Sequence, residues 1–505
     1  MRSFSLLFIF GIILSISSCR SDFSTIPSNG KLVFSRDTVF LDTVFSTISS
    51  STYMLKVYNK SKNDISIPTI KLGKGFNSKY RMTVDGMQGE NNKIFNNVTL
   101  LAKDSLYIFI ETTPNIADAN PDDFLYADEI EFDSGANLQK VKLLTLVKDA
   151  VFLYPKSFID NTTETVTFDE KELNGFYLDE NDAFNGNELH FTNQKPYVIY
   201  GYACVPEGKT VIFDAGSRVY FHANSGLIVT QSASLQCNGA VSTTTKLENE
   251  IIFEGDRQEA DYTNVAGQWS TIWLRNGSTN HNINHLTIKN ATIGLRIDNQ
   301  DNSTVSIKNS QIYNSSNYGI LAQNAKIEGE NIVINTAGKA TLSCVYGGNY
   351  QFTHCTFNNY WNGAGQMTLN ISNYKTTANP ETMDLTKANF NNCIIYGAYS
   401  NELNLDKKNT ALFEYQFNNC LLKTDTSSSN PLYNFNDNSH YTNNIFNQNP
   451  RFMDVAKNKL NIDKSSAAYA KGNSAYLIPL DIIGNSRTSP PDLGAYQTMD
   501  FPKAN

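Results

Sequence analysis

The sequence predicts an all-β protein in two parts, a two-sheet sandwich followed by a solenoid of short strands stacked coil on coil. Three observations carry the prediction. The composition favours strands, with 26 Tyr and 30 Phe against 3 Trp, and with Thr, Ser, Ile and Val abundant between Asn- and Gly-rich corners. Residues 30–150 hold short alternating apolar and polar segments broken by turn signals. Within residues 201–455 a six-residue pattern, apolar-x-Asn-small-x-apolar, recurs from Ile288 onward at intervals suited to one coil rather than one domain.

At 505 residues the chain can form two or three domains and a large core. Charged residues are only 18% and the formal net charge is −8, so nothing is set to neutralise phosphate backbones. Nucleic acid is not an expected partner.

The N-terminus carries a positive start at Arg2, an apolar stretch from Leu6 to Leu14, and Ile16-Ser17-Ser18 leading to Cys19. The stretch is well short of the roughly 20 residues that span a bilayer, which favours a cleaved signal over a transmembrane helix. It resembles a bacterial lipobox. The resemblance implies a signal peptide over residues 1–18, a diacylglyceryl group on the Cys19 thiol, cleavage before that residue and acylation of the new amine. Two or three acyl chains anchor lastingly where one would not, so the expected partner is a membrane and the expected compartment is extracytoplasmic. Arg20 stands where an aspartate would signal inner-membrane retention, which points to the outer membrane. Residues 19–29 read as a polar tether.

In residues 30–150 the segments Leu32–Phe34, Val39–Leu41, Tyr53–Tyr58, Ile65–Leu72, Tyr80–Val84, Val98–Leu101, Leu106–Glu111, Glu129–Phe132 and Val141–Val147 read as strands. Their spacing suggests an immunoglobulin-like β-sandwich. The opening Phe34-x-x-Asp-Thr-Val-Phe40, echoed from Phe40 to Phe45, resembles domains that precede β-helices in bacterial surface lipoproteins. Residues 151–200 are irregular and read as a linker or cap.

From residue 201 onward, strand-like triplets such as Val211-Ile212-Phe213 and Ile251-Ile252-Phe253 recur between small turn residues. The hexads begin at Ile288, Ile307, Phe352, Phe390 and Phe417, with looser copies at Ile327 and Tyr441, and their first positions differ by 19, 20, 25, 38, 27 and 24 residues. Each hexad would turn a corner between two parallel strands. Asn tolerates the left-handed backbone of such a bend, and Asn residues on successive coils can bond to one another. The pattern resembles the right-handed parallel β-helix. Roughly ten to twelve rungs about 4.8 Å apart would rise on the order of 50 Å.

Residues 456–505 read as a C-terminal cap. Within them Asp481-Ile-Ile-Gly-Asn-Ser-Arg487 and Asp492-Leu-Gly-Ala-Tyr496 resemble the Asp-x-x-Gly-x-x-Arg … Asp-Ile-Gly-Ala-Tyr-Glu ending found after many bacterial β-helices, with Leu493 and Gln497 departing from it. That ending implies a cap and no chemistry.

Candidate chemistry is sparse. His281 and His285 lie four residues apart, but on extended chain that spacing is about 13 Å, too far for two ligands of one zinc ion, so no metal and no cofactor is expected. The Asn-Thr-Asp, Gly-His-Gly and Arg-Ile-Lys motifs of pectin hydrolases are missing from the sequence. Asp298 and Asp301 could pair for glycoside hydrolysis, but a turn ending one strand and starting the next explains the same letters and is the preferred reading. Asp256, Arg257 and Glu259 could serve a lyase or simply form a polar loop. No catalytic residue is assigned. Cys355, Cys393 and Cys420 follow the hexad corner and read as core filler, and all six cysteines after Cys19 read mainly as free thiols.

Strand alternation in Trp269-Ser-Thr-Ile-Trp-Leu274 places both indoles outward if Ile272 and Leu274 face the core. The longest interval, Phe352 to Phe390, either holds an extra strand around Met367–Ile371 or projects a loop, and it contains Asn358-Asn-Tyr-Trp-Asn-Gly363. Ring faces and neighbouring amides suit sugars, which makes Tyr360, Trp361, Trp269 and Trp273 the candidate glycan-binding residues. Two functional readings follow. One is a non-catalytic lipoprotein that binds a polysaccharide or another surface partner, and the other is a polysaccharide lyase or glycoside hydrolase.

Overall fold

The computed structural model describes residues 24–121, 123–298, 303–376 and 380–501. The signal peptide, Cys19 and Asp301 lie outside the described residues. The protein is all-β, with 46% of the chain in strands and 4% helical. No helix among the described residues is long and apolar enough to cross a membrane. The chain divides into two compact units, Met1–Asp149 and Ala150–Asn505.

In the first unit, a six-stranded and a four-stranded sheet enclose one core. Ile67, Ile70, Ile130 and Val141 face that core from the larger sheet, and Leu55, Val57, Ile108 and Ile110 face it from the smaller. The alternation that marks each strand in sequence is the alternation of burial. Ser105–Thr112, for example, buries Leu106, Ile108 and Ile110 and leaves Tyr107 and Phe109 exposed.

The second unit consists of three long sheets of eleven, ten and ten strands, called first, second and third in the order the chain visits them, all parallel except that Thr165–Phe168 at the edge of the second runs antiparallel to Lys171–Tyr177. From Tyr197–Ile199 to Gln416–Asn418, each coil contributes one strand to each sheet before the chain returns to the first. Thus Val333–Ala337, Ala340–Val345 and Gly348–Thr353 belong to the first, second and third sheets, and Thr356–Asn359 begins the next coil on top of Val333–Ala337. Residues 151–200, expected as a linker or cap, already supply the opening strands of all three sheets.

Inward side chains stack along the coil axis. Phe352, Phe390, Phe417 and Tyr441 form one column, with ring centroids 5.4, 5.1 and 5.6 Å apart. The corner from the third sheet to the first is held by a left-handed residue on seven successive coils. His285, Asn309, Asn331, His354, Asn392, Asn419 and Asn443 have φ between 48° and 53°. Asn331 Nδ2 donates to Asn309 Oδ1 and Asn309 Nδ2 to Asn284 Oδ1, each at 3.0 Å, giving part of the expected amide ladder.

Two corrections concern the repeat. The copy at Ile288 turns a different corner, between the first and second sheets, and Ile307 stacks on Ile283 instead. The long interval from Phe352 holds no extra strand, because Met367–Ser372 is the ordinary second-sheet strand of its coil. The added length lies in loop 360–366 and in the interval between Ser372 and Leu385.

The C-terminal segment does not close the end of the coil. That end is covered by Leu432, Tyr433, Phe435 and Phe446. The segment instead runs along the outward face of the first sheet, where Val333 meets Leu460, Ile482 and Tyr496, and where Ile394, Tyr396 and Leu421 meet Ile462 and Leu493. Apolar outward positions on a sheet require such a cover. Arg487 Nη2 fastens it by donating to Asn331 Oδ1 at 2.8 Å and to the Gly494 and Ala495 carbonyls at 3.1 Å.

Candidate functional site

The four aromatic candidates fall in different environments. Trp269 is only 1% exposed, its ring stacked on Phe221 at 4.2 Å and its Nε1 donating to the Lys289 carbonyl at 2.8 Å. Its expected outward orientation is therefore corrected. A register shift between Thr271 and Ile272 breaks strict alternation, so Trp269 points inward together with Ile272 and Leu274.

Trp273 does point outward but is covered. Val166 and the partly buried Phe168 and Leu173, from the antiparallel pair Thr165–Phe168 and Lys171–Tyr177, pack on it, and the Arg275 and Arg296 guanidinium groups lie 4.6 and 4.0 Å from its ring. Its Nε1 donates to Asp298 Oδ2 at 2.7 Å. Asp298 also accepts from Arg296 and from Gln323 Nε2, so this carboxylate holds a structural network.

Asp256, Arg257 and Glu259 separate into two ion pairs. Arg257 bonds Glu259, and Asp256 Oδ2 lies 2.7 Å from His222 Nδ1, a contact that raises the His222 pKa. His281 is buried, with Nδ1 accepting from the Leu235 amide at 3.2 Å and Nε2 3.0 Å from Ser278 Oγ. No group of three or more His, Cys, Asp or Glu side chains among the described residues is placed to hold a metal. The six described cysteines are free and buried, and Cys355, Cys393 and Cys420 all face the core. Burial pushes the Cys204 thiol up to about 12.

Tyr360 and Trp361 stand at the corner from the first sheet to the second. Buried Asn359 secures their loop: its Oδ1 accepts from the Ala337 and Trp361 amides, and its Nδ2 donates to the Ala337 and Met367 carbonyls. Gly338, beneath the indole, is required by the preceding coil, since a Cβ there would lie 2.1 Å from the Ser316 carbonyl oxygen. Tyr360 is 43% exposed and Trp361 half-buried.

The next coil adds a residue that sequence reasoning missed. Asn359 pairs with Gly397, which brings loop 398–402 beside loop 360–366. Tyr399, 42% exposed, donates from its hydroxyl to the Gly363 carbonyl at 2.6 Å. Beneath it Glu402 is fully buried, accepting from the Tyr399 amide at 2.7 Å and Thr368 Oγ1 at 2.9 Å, and burial raises its pKa. One coil further, Lys423 Nζ sits 4.8 Å over the Tyr396 ring. The corner thus offers three aromatic surfaces and one cation on successive coils. The only sequence signal for Tyr399 was an aromatic near a glycine, in Tyr396-Gly-Ala-Tyr399, and its place beside Trp361 depends on register.

No protein-family model matches the chain, and no curated protein does. Among solved structures it is similar to the ASH/PapD-like domain of human CEP192 (PapD-like domain 7), with 14% identity, 26% of this chain and 96% of that one covered, and a TM-score of 0.16. A likeness that weak carries no inference about fold or function.

Proposed function

We propose that the chain is an extracytoplasmic lipoprotein, anchored through Cys19 in the outer membrane, whose second unit is a right-handed parallel β-helix that binds glycan without catalysis. Its first unit is an immunoglobulin-like sandwich. The lipobox-like N-terminus supports the anchor, and the left-handed Asn corners between parallel sheets support the β-helix. The observation that carries the binding role is the grouping of Tyr360, Trp361 and Tyr399 at one corner, tied by the Tyr399–Gly363 hydrogen bond. Exposed aromatic faces on a rigid scaffold stack against the C–H surfaces of sugars.

The test uses the full chain in detergent against immobilised acidic and neutral polysaccharides, reading both retention and new reducing or unsaturated ends. The expected result is retention without cleavage, with affinity falling roughly tenfold in a Tyr360→Ala/Trp361→Ala double variant of unchanged thermal unfolding. Equal affinity in the two proteins would sink the corner site, and new chain ends would replace binding with hydrolysis or elimination.

A further inference from the structure

The C-terminal segment covers the first sheet, and the hairpin at 165–177 covers the start of the second. The third sheet turns a different face outward. Asn282, Ser306, Glu328, Gln351, Asn389 and Gln416 stand in register on six successive coils, each flanked by inward side chains. At the far end of this column a groove of about 710 Å³ is lined by Lys387, Asn389 and Gln416 together with Lys407, Asn409 and Glu414. A second groove of about 390 Å³ meets it at Thr386.

The larger groove is lined mainly by polar groups, and the two together carry Lys326, Lys387 and Lys407 against Asp384 and Glu414. Asp384 Oδ1 is already engaged by the Leu412 amide at 2.8 Å. Among the described residues the Asn389 and Gln416 side chains hold no hydrogen bond, whereas Gln351 Oε1 accepts from Lys387 Nζ at 2.5 Å. His440, stacked on Tyr415 at 4.1 Å, supplies one flat face at the rim.

We propose that this groove binds an extended, uncharged polysaccharide strand lying along the coil axis. Each primary amide both donates and accepts, as a hydroxyl requires of its partner. Rungs about 4.8 Å apart present such groups with a regular spacing that an extended pyranose chain can follow. A polyanion would need a larger excess of cations than three lysines against two carboxylates, and an apolar ligand would find little apolar floor in the larger groove. The groove and the Tyr360 corner lie on different sides of the coil, so the two sites stand or fall separately.

Titration calorimetry of the full chain in detergent with cellohexaose, xylohexaose and mannohexaose, and with hexagalacturonate as the charged control, tests this. At least one neutral hexamer should bind, and an Asn389→Ala/Gln416→Ala variant should weaken that binding roughly fivefold or more while Tyr360→Ala/Trp361→Ala does not. Three outcomes overturn the proposal: no neutral hexamer binding at millimolar concentration, tighter binding of hexagalacturonate, or unchanged affinity in the groove variant. Loss in the corner variant alone leaves the corner site standing and removes this one.

Discussion

His354 occupies a corner position that Asn331 and Asn392 hold on the coils to either side, and its chemistry differs from theirs in one respect: it titrates. The ring is fully buried, with Nε2 3.0 Å from Asn392 Nδ2 and Nδ1 3.3 Å from the Gly494 carbonyl. A carbonyl needs a donor and the amide Nδ2 needs an acceptor, so the bonds fit a neutral ring protonated at Nδ1. Burial first, and then the neighbouring Arg487 charge, lower its pKa from 6.5 to about 3. The folded state therefore binds fewer protons than the unfolded one between those values. Stability is retained above about pH 6.5 and lost progressively as pH falls towards 3. His222, raised by Asp256, acts in the opposite sense, contributing stability at low pH that is lost as pH rises through its folded value. His354→Asn keeps a residue suited to the left-handed corner and removes the titration. Its midpoint of thermal unfolding should fall less than wild type's between pH 8 and pH 5, and parallel pH profiles would refute the assignment.

Among the elements, the inward aromatic column links four successive coils. Phe390 is fully buried between Phe352 and Phe417, and its neighbours are held by strands on both sides, so little collapse into a cavity is open to them. Phe390→Ala should cost about 3 to 5 kcal/mol, read as a lowered denaturant midpoint at unchanged slope. A loss below about 1 kcal/mol would mean that the stack is loosely packed. Gly397 offers a second check on register, because a Cβ there would lie 2.2 Å from Glu402 Oε1 and 2.6 Å from the Asn359 carbonyl. Gly397→Ala should displace loop 398–402 and lower glycan affinity together with stability. Most strands of the first unit were legible as alternation. Trp269 was not, since a one-residue register shift reverses a face without altering the local pattern of letters.

For the whole molecule, Cys19→Ala should move the protein from the membrane fraction to the soluble one, and a protein that still sediments after a high-salt wash would end the lipoprotein proposal. Alkylation of denatured, unreduced protein should label all six remaining cysteines, which are free thiols facing apolar or crowded surroundings. Composition and alternation alone determined that the chain is all-β, and the hexad spacing that its later part stacks parallel strands, because the period of apolar residues and the left-handed tolerance of Asn are local properties. Only the tertiary structure decided which corner each hexad turns, that the C-terminal segment covers a side of the coil, and that Tyr399 joins Tyr360 and Trp361 while Asn389 aligns with Gln416. Those relations join residues tens of positions apart, and their register follows from the summed packing of whole coils, which no single window of sequence contains.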